Sequence, residues 1–378
     1  MNIHNTKMSA TDELKANVSL PFDHAKAMPT SVYTSEEFYQ QEIEHIFKKD
    51  WFCAGRAETL PNIGDYLTLE LAGQPIMVIR DKDNQIRAQS NVCLHRMSTL
   101  LEGTGNTKAI VCPYHAWTYS LDGSMRGAPA MGRNQAFCKD KMKLPQIRCE
   151  IWLGWIMISL NPNANPVASE LGEAASMIED FDMASYQQTF SEIHIWDTNW
   201  KVLAENFMES YHLPVCHSGT IGWSVDLEKM DCPTSPPSFN YHTILKDPEF
   251  KLSVAHPNNT RLVDERRITT YLISIYPSLM ITLTPGYFWY LSLHPLGPDK
   301  VHIVYGGGMS PDFANDPEGE AMLATTKALL DDVNMEDKGC TEKVYKGLSS
   351  GLAVPGPLSH LERPNFDFAK YIASRVCK

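Results

Sequence analysis

Apolar positions along the chain change period several times, and each change predicts a different kind of element. Phe38, Ile43, Ile46 and Phe47 follow Thr34-Ser35-Glu36-Glu37, a hydroxyl and carboxylate pattern that reads as a capping box. A helix is therefore expected from there to about Asp50. From Trp51 to about Leu160 the runs become short and alternating: Asp65–Leu71, Pro75–Arg80 and, past the turn Asp81-Lys-Asp-Asn84, Ile86–Ser90. They predict a small antiparallel β domain. Asn161-Pro-Asn-Ala-Asn-Pro166 is a turn-rich junction. Beyond it, Trp200, Leu203, Ala204, Phe207, Met208 and Tyr211 recur at helical spacing, and residues 268–308 read as three long strands, Ile268–Thr284, Tyr287–Leu296 and Lys300–Gly306. Asp316-Pro317 predicts a helix start, with the helix running to about Gly347 and a break near Asn334. Residues 1–30, with Pro21 and Pro29, predict an irregular arm. The expected fold class is α+β: an arm and helix over 1–50, a small β domain over 51–160, and a larger sheet-and-helix domain over 161–378.

Composition narrows the classes. The chain has 378 residues, 43% hydrophobic and 21% charged, which excludes disorder and fibrous repeats. A net charge of −12 argues against a nucleic-acid partner. The first twenty residues lack the apolar core of a signal peptide. The densest apolar run, Trp152 to Leu160, is too short to cross a bilayer. A cytoplasmic protein without membrane contact is expected. Its nine cysteines are then not expected to form structural disulfides, and metal ligation is the reading to test.

Two constellations carry candidate chemistry. Cys93-Leu-His95 and Cys112-Pro-Tyr-His115 each offer one thiolate and one imidazole on a loop between strands. Two sulfurs and two nitrogens suit a structural zinc site or a [2Fe–2S] cluster in which the cysteines hold one iron and the histidines the other. Zinc loops usually pair like with like, which favours the cluster. In the second constellation, Glu205, Glu209 and His212 fall at i, i+4 and i+7 of a helix, and Pro214 would let His217 turn back towards His212. Two histidines and a carboxylate with open positions opposite form the facial triad of non-haem Fe(II) oxygenases.

The strings Asn91-Val-Cys-Leu-His-Arg96, Cys112-Pro-Tyr-His-Ala-Trp-Thr-Tyr-Ser-Leu-Asp-Gly123 and Glu205-Asn-Phe-Met-Glu-Ser-Tyr-His-Leu-Pro-Val-Cys-His217 closely resemble the Rieske non-haem iron oxygenases, with the likeness running from about Tyr33 to the C-terminus. The resemblance implies a [2Fe–2S] Rieske cluster on Cys93, His95, Cys112 and His115, with Ser120 or Tyr119 donating to a sulfur. It also implies a mononuclear iron on His212 and His217, inside a helix-grip type catalytic domain. The third ligand would be the carboxylate of Asn334-Met-Glu-Asp337, read as Asp337, with Asp331, Asp332 and Glu336 as rivals and an N-cap as the plain structural role. Glu209 would be an electron bridge between one subunit's iron and the cluster histidine of its neighbour, with His115 preferred over His95, in a homotrimer. Dioxygen would be the co-substrate, and electrons would come from NAD(P)H through a separate flavin or ferredoxin-type reductase. No G-x-G-x-x-G fingerprint is present, in keeping with that division.

Glutamate at 209, where ring dihydroxylases carry aspartate, resembles the carnitine and glycine betaine monooxygenase branch. Monooxygenation or oxidative demethylation of a quaternary amine or N-methyl compound is expected, with hydroxylation of an aromatic acid as the alternative. Phe207, Met208, Trp223 and the strands at 276–284 and 287–293 would line the pocket, where Tyr287, Phe288, Trp289 and Tyr290 could stack a ring or cage an ammonium. A zinc-stabilised binding module and a Rieske electron carrier remain the readings from other classes. Residues 91–150 hold eight basic side chains against four acidic ones, including Lys139, Lys141 and Lys143, a face that would steer an acidic electron donor.

Overall fold

The computed structural model describes residues 8–377 except 225, 247 and 248. The chain opens with three short helices, α1 (Ala10–Val18), α2 (Thr30–Thr34) and α3 (Glu36–Glu42). The expected irregular arm thus contains a helix, capped where Ser9 accepts the Asp12 N–H. Leu14 is its only buried residue, so it leaves little periodic signal. Ser35 caps α3 by accepting the Phe38 N–H at 3.2 Å, and one π turn extends it to Phe47.

Ten strands follow: β1 (Phe52–Arg56), β2 (Asp65–Leu71), β3 (Gln74–Arg80), β4 (Ile86–Ser90), β5 (Thr104–Asn106), β6 (Ile110–Val111), β7 (Thr118–Tyr119), β8 (Met125–Gly127), β9 (Gln146–Trp152) and β10 (Trp155–Ser159). Seven form an antiparallel sheet in the order β1-β10-β9-β4-β3-β2-β5, and β6-β7-β8 form a smaller one. Met77, Ile79, Leu100, Ile110, Trp117, Tyr119 and Leu144 pack into a core that also holds the side chains of Cys93 and Cys112.

After α4 (Val167–Met177) come β11 (Gln187–Trp196), α5 (Trp200–Met208), α6 (Leu213–Cys216), β12 (Phe239–Leu245), β13 (Thr269–Ile275), β14 (Leu279–Leu283), β15 (Tyr287–Gly297), β16 (Lys300–Met309), α7 (Pro311–Ala314), α8 (Gly319–Leu348) and α9 (Arg363–Val376). The strands form one antiparallel sheet, β11-β16-β15-β14-β13-β12. The expected strand at 268–284 is two strands joined by a turn; its apolar run is continuous because both are buried on both faces. Asp316 lies ahead of α8, and α8 runs unbroken through Asn334, against the break expected there. The chain divides into two compact units, residues 47–170 and residues 1–46 with 171–378. Among the described residues no helix is long and apolar enough to cross a membrane.

Candidate functional site

In the first unit the two cysteine–histidine loops are built alike. The Cys93 carbonyl accepts the Met97 N–H at 3.1 Å and the Cys112 carbonyl accepts the Ala116 N–H at 3.0 Å. The Cys93 and Cys112 N–H groups donate to Ser98 O and Trp117 O, both at 2.8 Å. Met97 and Ala116 sit at φ +54° and +57°, a left-handed conformation that side-chain-bearing residues adopt sparingly and that tightens each loop. The two imidazoles lie with ring centroids 4.6 Å apart, and His95 stacks on Trp117. Tyr119 Oη accepts the Leu94 N–H at 3.0 Å and lies 3.3 Å from Cys93 Sγ, which leaves its hydrogen for the sulfur. Of the two expected donors the contact belongs to Tyr119. Burial raises the Cys93 thiol; at Cys112 burial is outweighed by the N–H groups of Tyr114 and His115, which lower it. Two thiols and two imidazoles meeting at one end, with His95 Nδ1 buried and unpartnered, fit a [2Fe–2S] group held by mixed ligands.

The second constellation lies between α5, α6 and α8. The expected helix through His212 stops at Met208, and Glu209 is extended at φ −128°, ψ 157°. Glu205 therefore does not share a face with the histidines; it accepts the Tyr33 hydroxyl at 2.7 Å. Glu209 accepts the His212 backbone N–H at 3.1 Å and lies 2.6 Å from its Nδ1. Pro214 lies in the first turn of α6, and that single turn returns His217 so that the two Nε2 atoms stand 3.2 Å apart. Asp337, near the middle of α8, brings Oδ1 within 3.1 Å of His217 Nε2 and 3.6 Å of His212 Nε2. One atom from each of the three residues falls within 4.8 Å of the others. Asp337 Oδ1 is buried and accepts no well-formed hydrogen bond, while the outer Nδ1 atoms of the two imidazoles are engaged by Glu209 and, at 2.7 Å, by Glu336. Inner atoms converging while outer nitrogens are held by carboxylates is the arrangement a metal requires.

Two of the rival carboxylates, Glu336 and Asp331, have other partners. Glu336 also accepts the Thr220 hydroxyl at 2.7 Å, and Asp331 pairs with Lys327 and Tyr305. Burial would lower His212, but the carboxylates of Asp337 and Glu209 beside it raise it to about 9; burial would raise Asp337, but the two histidines lower it.

The cysteines hold one correction. Cys216 and Cys340 form a disulfide, against the expectation of none. They are 124 residues apart, and α6 lying beside α8 brings them together, so no local spacing reveals the pair.

A cavity of about 460 Å³ opens beside the triad. Phe207, Tyr287 and Trp289 line it, with Leu272, Thr282, Ile244 and Lys246. Alternation along β15 turns Phe288 and Tyr290 to the other face of the sheet. Met208 is buried outside the lining, and Trp223 is exposed. Sequence reasoning missed Lys246, Gly222 and His242. Gly222 donates its N–H to His217 O at 2.8 Å, and His242 lies 2.8 Å from the Ser210 hydroxyl, held near 3 by burial and by His212.

Comparison with known proteins identifies the family. The Rieske [2Fe-2S] domain model matches residues 50–147, and the ring hydroxylating alpha subunit (catalytic domain) model matches residues 181–377. The carnitine monooxygenase oxygenase subunit of Escherichia coli (strain K12) is 34% identical over 86% of this chain and 85% of its own. The subunit of that name from Acinetobacter pittii is 35% identical over 56% of this chain, and the match spans 58% of that relative's length. A solved quaternary ammonium Rieske monooxygenase superposes with a TM-score of 0.82 at 25% identity, covering 97% of this chain and 98% of that one. The chain belongs to the family of ring-hydroxylating oxygenase α subunits, with a Rieske domain ahead of the catalytic domain.

Proposed function

We propose that the protein is a terminal oxygenase that monooxygenates a quaternary amine. His212, His217 and Asp337 would hold a mononuclear Fe(II), and Cys93, His95, Cys112 and His115 the [2Fe–2S] group. The observation that carries this reading is the convergence of two Nε2 atoms and one buried, unbonded carboxylate oxygen on the wall of an aromatic cavity. Bound iron would supply the dioxygen chemistry at that wall. One oxygen atom would enter a C–H bond and the other leave as water, with two electrons from NAD(P)H and two protons. Glu209 and Glu336 fix the imidazole orientations, and Phe207, Tyr287 and Trp289 offer ring faces to a cationic head.

In this reading residues 51–160 carry the cluster, 161–378 the iron, and 1–50 form the arm and helix of the catalytic part. The enzyme is a cytoplasmic homotrimer in which Glu209 links one subunit's iron to His115 of the next. Lys139 and Lys141 are exposed beside Lys143, whose ion pair with Asp122 is a loose 3.8 Å, and this face receives the separate reductase. NADH consumption with a surrogate reductase, followed across trimethylammonium compounds and aromatic acids, tests the reading. Coupled consumption with trimethylammonium compounds supports it; coupling only to aromatic acids refutes the substrate class.

A further inference from the structure

The wall of the cavity carries a charge that the chemistry at its iron end does not use. His242, Ile244 and Lys246 are alternate residues, so they share one face of β12 and its continuation. The ladder does continue, because the Lys246 N–H donates to Ile268 O at 2.8 Å. His242, through Ser210, lies beside the triad. Ile244 and Lys246 both line the cavity, as do Thr270 and Leu272 of the paired strand. Four residues of strand carry Lys246 about 13 Å further out than His242. The cavity is thus two-ended, with the carboxylates Glu209 and Asp337 and the ring faces of Phe207 and Trp289 inside and an ammonium on the outer wall.

No carboxylate among the described residues pairs with Lys246, whose Nζ lies 6.0 Å from the ring centroid of Phe250. Burial lowers this lysine from its ordinary value. An ammonium in a partly buried wall without a counter-ion is costly until an anion arrives. Glu249 and Lys251 also line the cavity, but both are exposed, and neither is paired with Lys246.

We propose that Lys246 is a specificity residue that binds a carboxylate on the tail of the substrate, so that the preferred substrate is a zwitterion, its trimethylammonium head at the aromatic iron end and its acid at Lys246. The identity of the head rests on the reading under Proposed function; the role of Lys246 does not. A carboxylate would complete the missing ion pair, and a charge-assisted bond is stronger than the one a neutral amide makes. Choline-like alcohols, lacking the anion, would bind more weakly.

The test is calorimetric titration of the anaerobic, metal-loaded protein with matched pairs. One series uses trimethylammonium carboxylates with one to three methylenes between nitrogen and carboxyl, each against its primary amide. A second uses benzoate against benzamide. The wild-type protein should prefer acid to amide by about 10–100-fold in the first series. Lys246→Met should bring that ratio to within about twofold, Lys246→Arg should keep it, and Lys251→Met should leave it alone. Unchanged cluster absorption and Tm would show that the variants fold. An acid preference that survives Lys246→Met overturns the proposal, as does the absence of any acid preference in both series. An acid preference confined to benzoate, and lost in Lys246→Met, keeps Lys246 as the carboxylate site and overturns the quaternary-amine reading instead.

Discussion

Gly222 shows how much of the candidate iron site depends on one missing methyl group. Its N–H holds the His217 carbonyl, and a Cβ there would press on the Leu213 carbonyl and stand 2.8 Å from that of His217. Both carbonyls are backbone and cannot swing aside. Gly222→Ala should therefore displace His217 and weaken iron retention about 10-fold or more, as loss of a supporting contact around a metal ligand does. Iron remaining after chelator challenge is the readout, with the cluster absorption as the internal control; wild-type retention would show that the loop adapts. His212 and His217 were legible from their spacing about Pro214. Asp337 was legible only through resemblance, because it comes from a helix more than a hundred residues away. Glu336 was a plausible rival until its partner, His217 Nδ1, was seen. Lys246 carried no signal at all, since its role depends on which face of β12 meets the cavity.

At the scale of elements, α5 is anchored through buried charge. Lys201 and Glu42, both fully buried, pair at 2.7 Å, and Trp200 Nε1 donates to Glu42 at 3.1 Å. One turn on, burial lifts Glu205 from an ordinary 4.5 to about 7, against the opposing effects of Tyr33 and Lys201. The folded state then keeps a proton that the unfolded chain releases, so stability falls as pH rises between about 4.5 and about 7. The slope from this group is at most about 1.4 kcal/mol per pH unit. Glu205→Gln should flatten that part of the profile in denaturant titrations across this range; identical slopes in the two proteins would place the Glu205 proton elsewhere. The Cys216–Cys340 tether makes a second prediction. It closes a long loop, so Cys216→Ser should lower stability by about 2–4 kcal/mol, and non-reducing peptide mapping should recover the linked peptides. Free thiols at both positions would contradict it.

Element boundaries were legible where a short strand keeps partly exposed positions between turn residues, as in β2 and β4, whose predicted and observed limits coincide. They failed where that contrast vanishes. β13 and β14 merged because neither has a polar face, and α1 disappeared because it buries a single leucine. The expected break at Asn334 arose from a capping pattern; in the fold Asn334 and Asp337 are buried within a continuous helix, and packing overrides the local capping signal.

For the whole molecule, the proposed function requires two metal centres that are separable yet coupled. Glu209 meets His212 through both its carboxylate oxygens, so it touches the iron site without joining the three converging atoms. Glu209→Ala should keep cluster and iron but slow oxidation of the reduced cluster by orders of magnitude in a single turnover with substrate and dioxygen. A wild-type rate would remove the bridging role. The most direct measurement is the count of iron and acid-labile sulfide per chain in wild type and in Asp337→Ala. Two separate centres predict about three irons and two sulfides in the wild type, falling to about two irons with both sulfides kept in the variant. Zinc without sulfide in the wild type, or an Asp337→Ala protein that retains all its iron, would contradict the two-centre assignment.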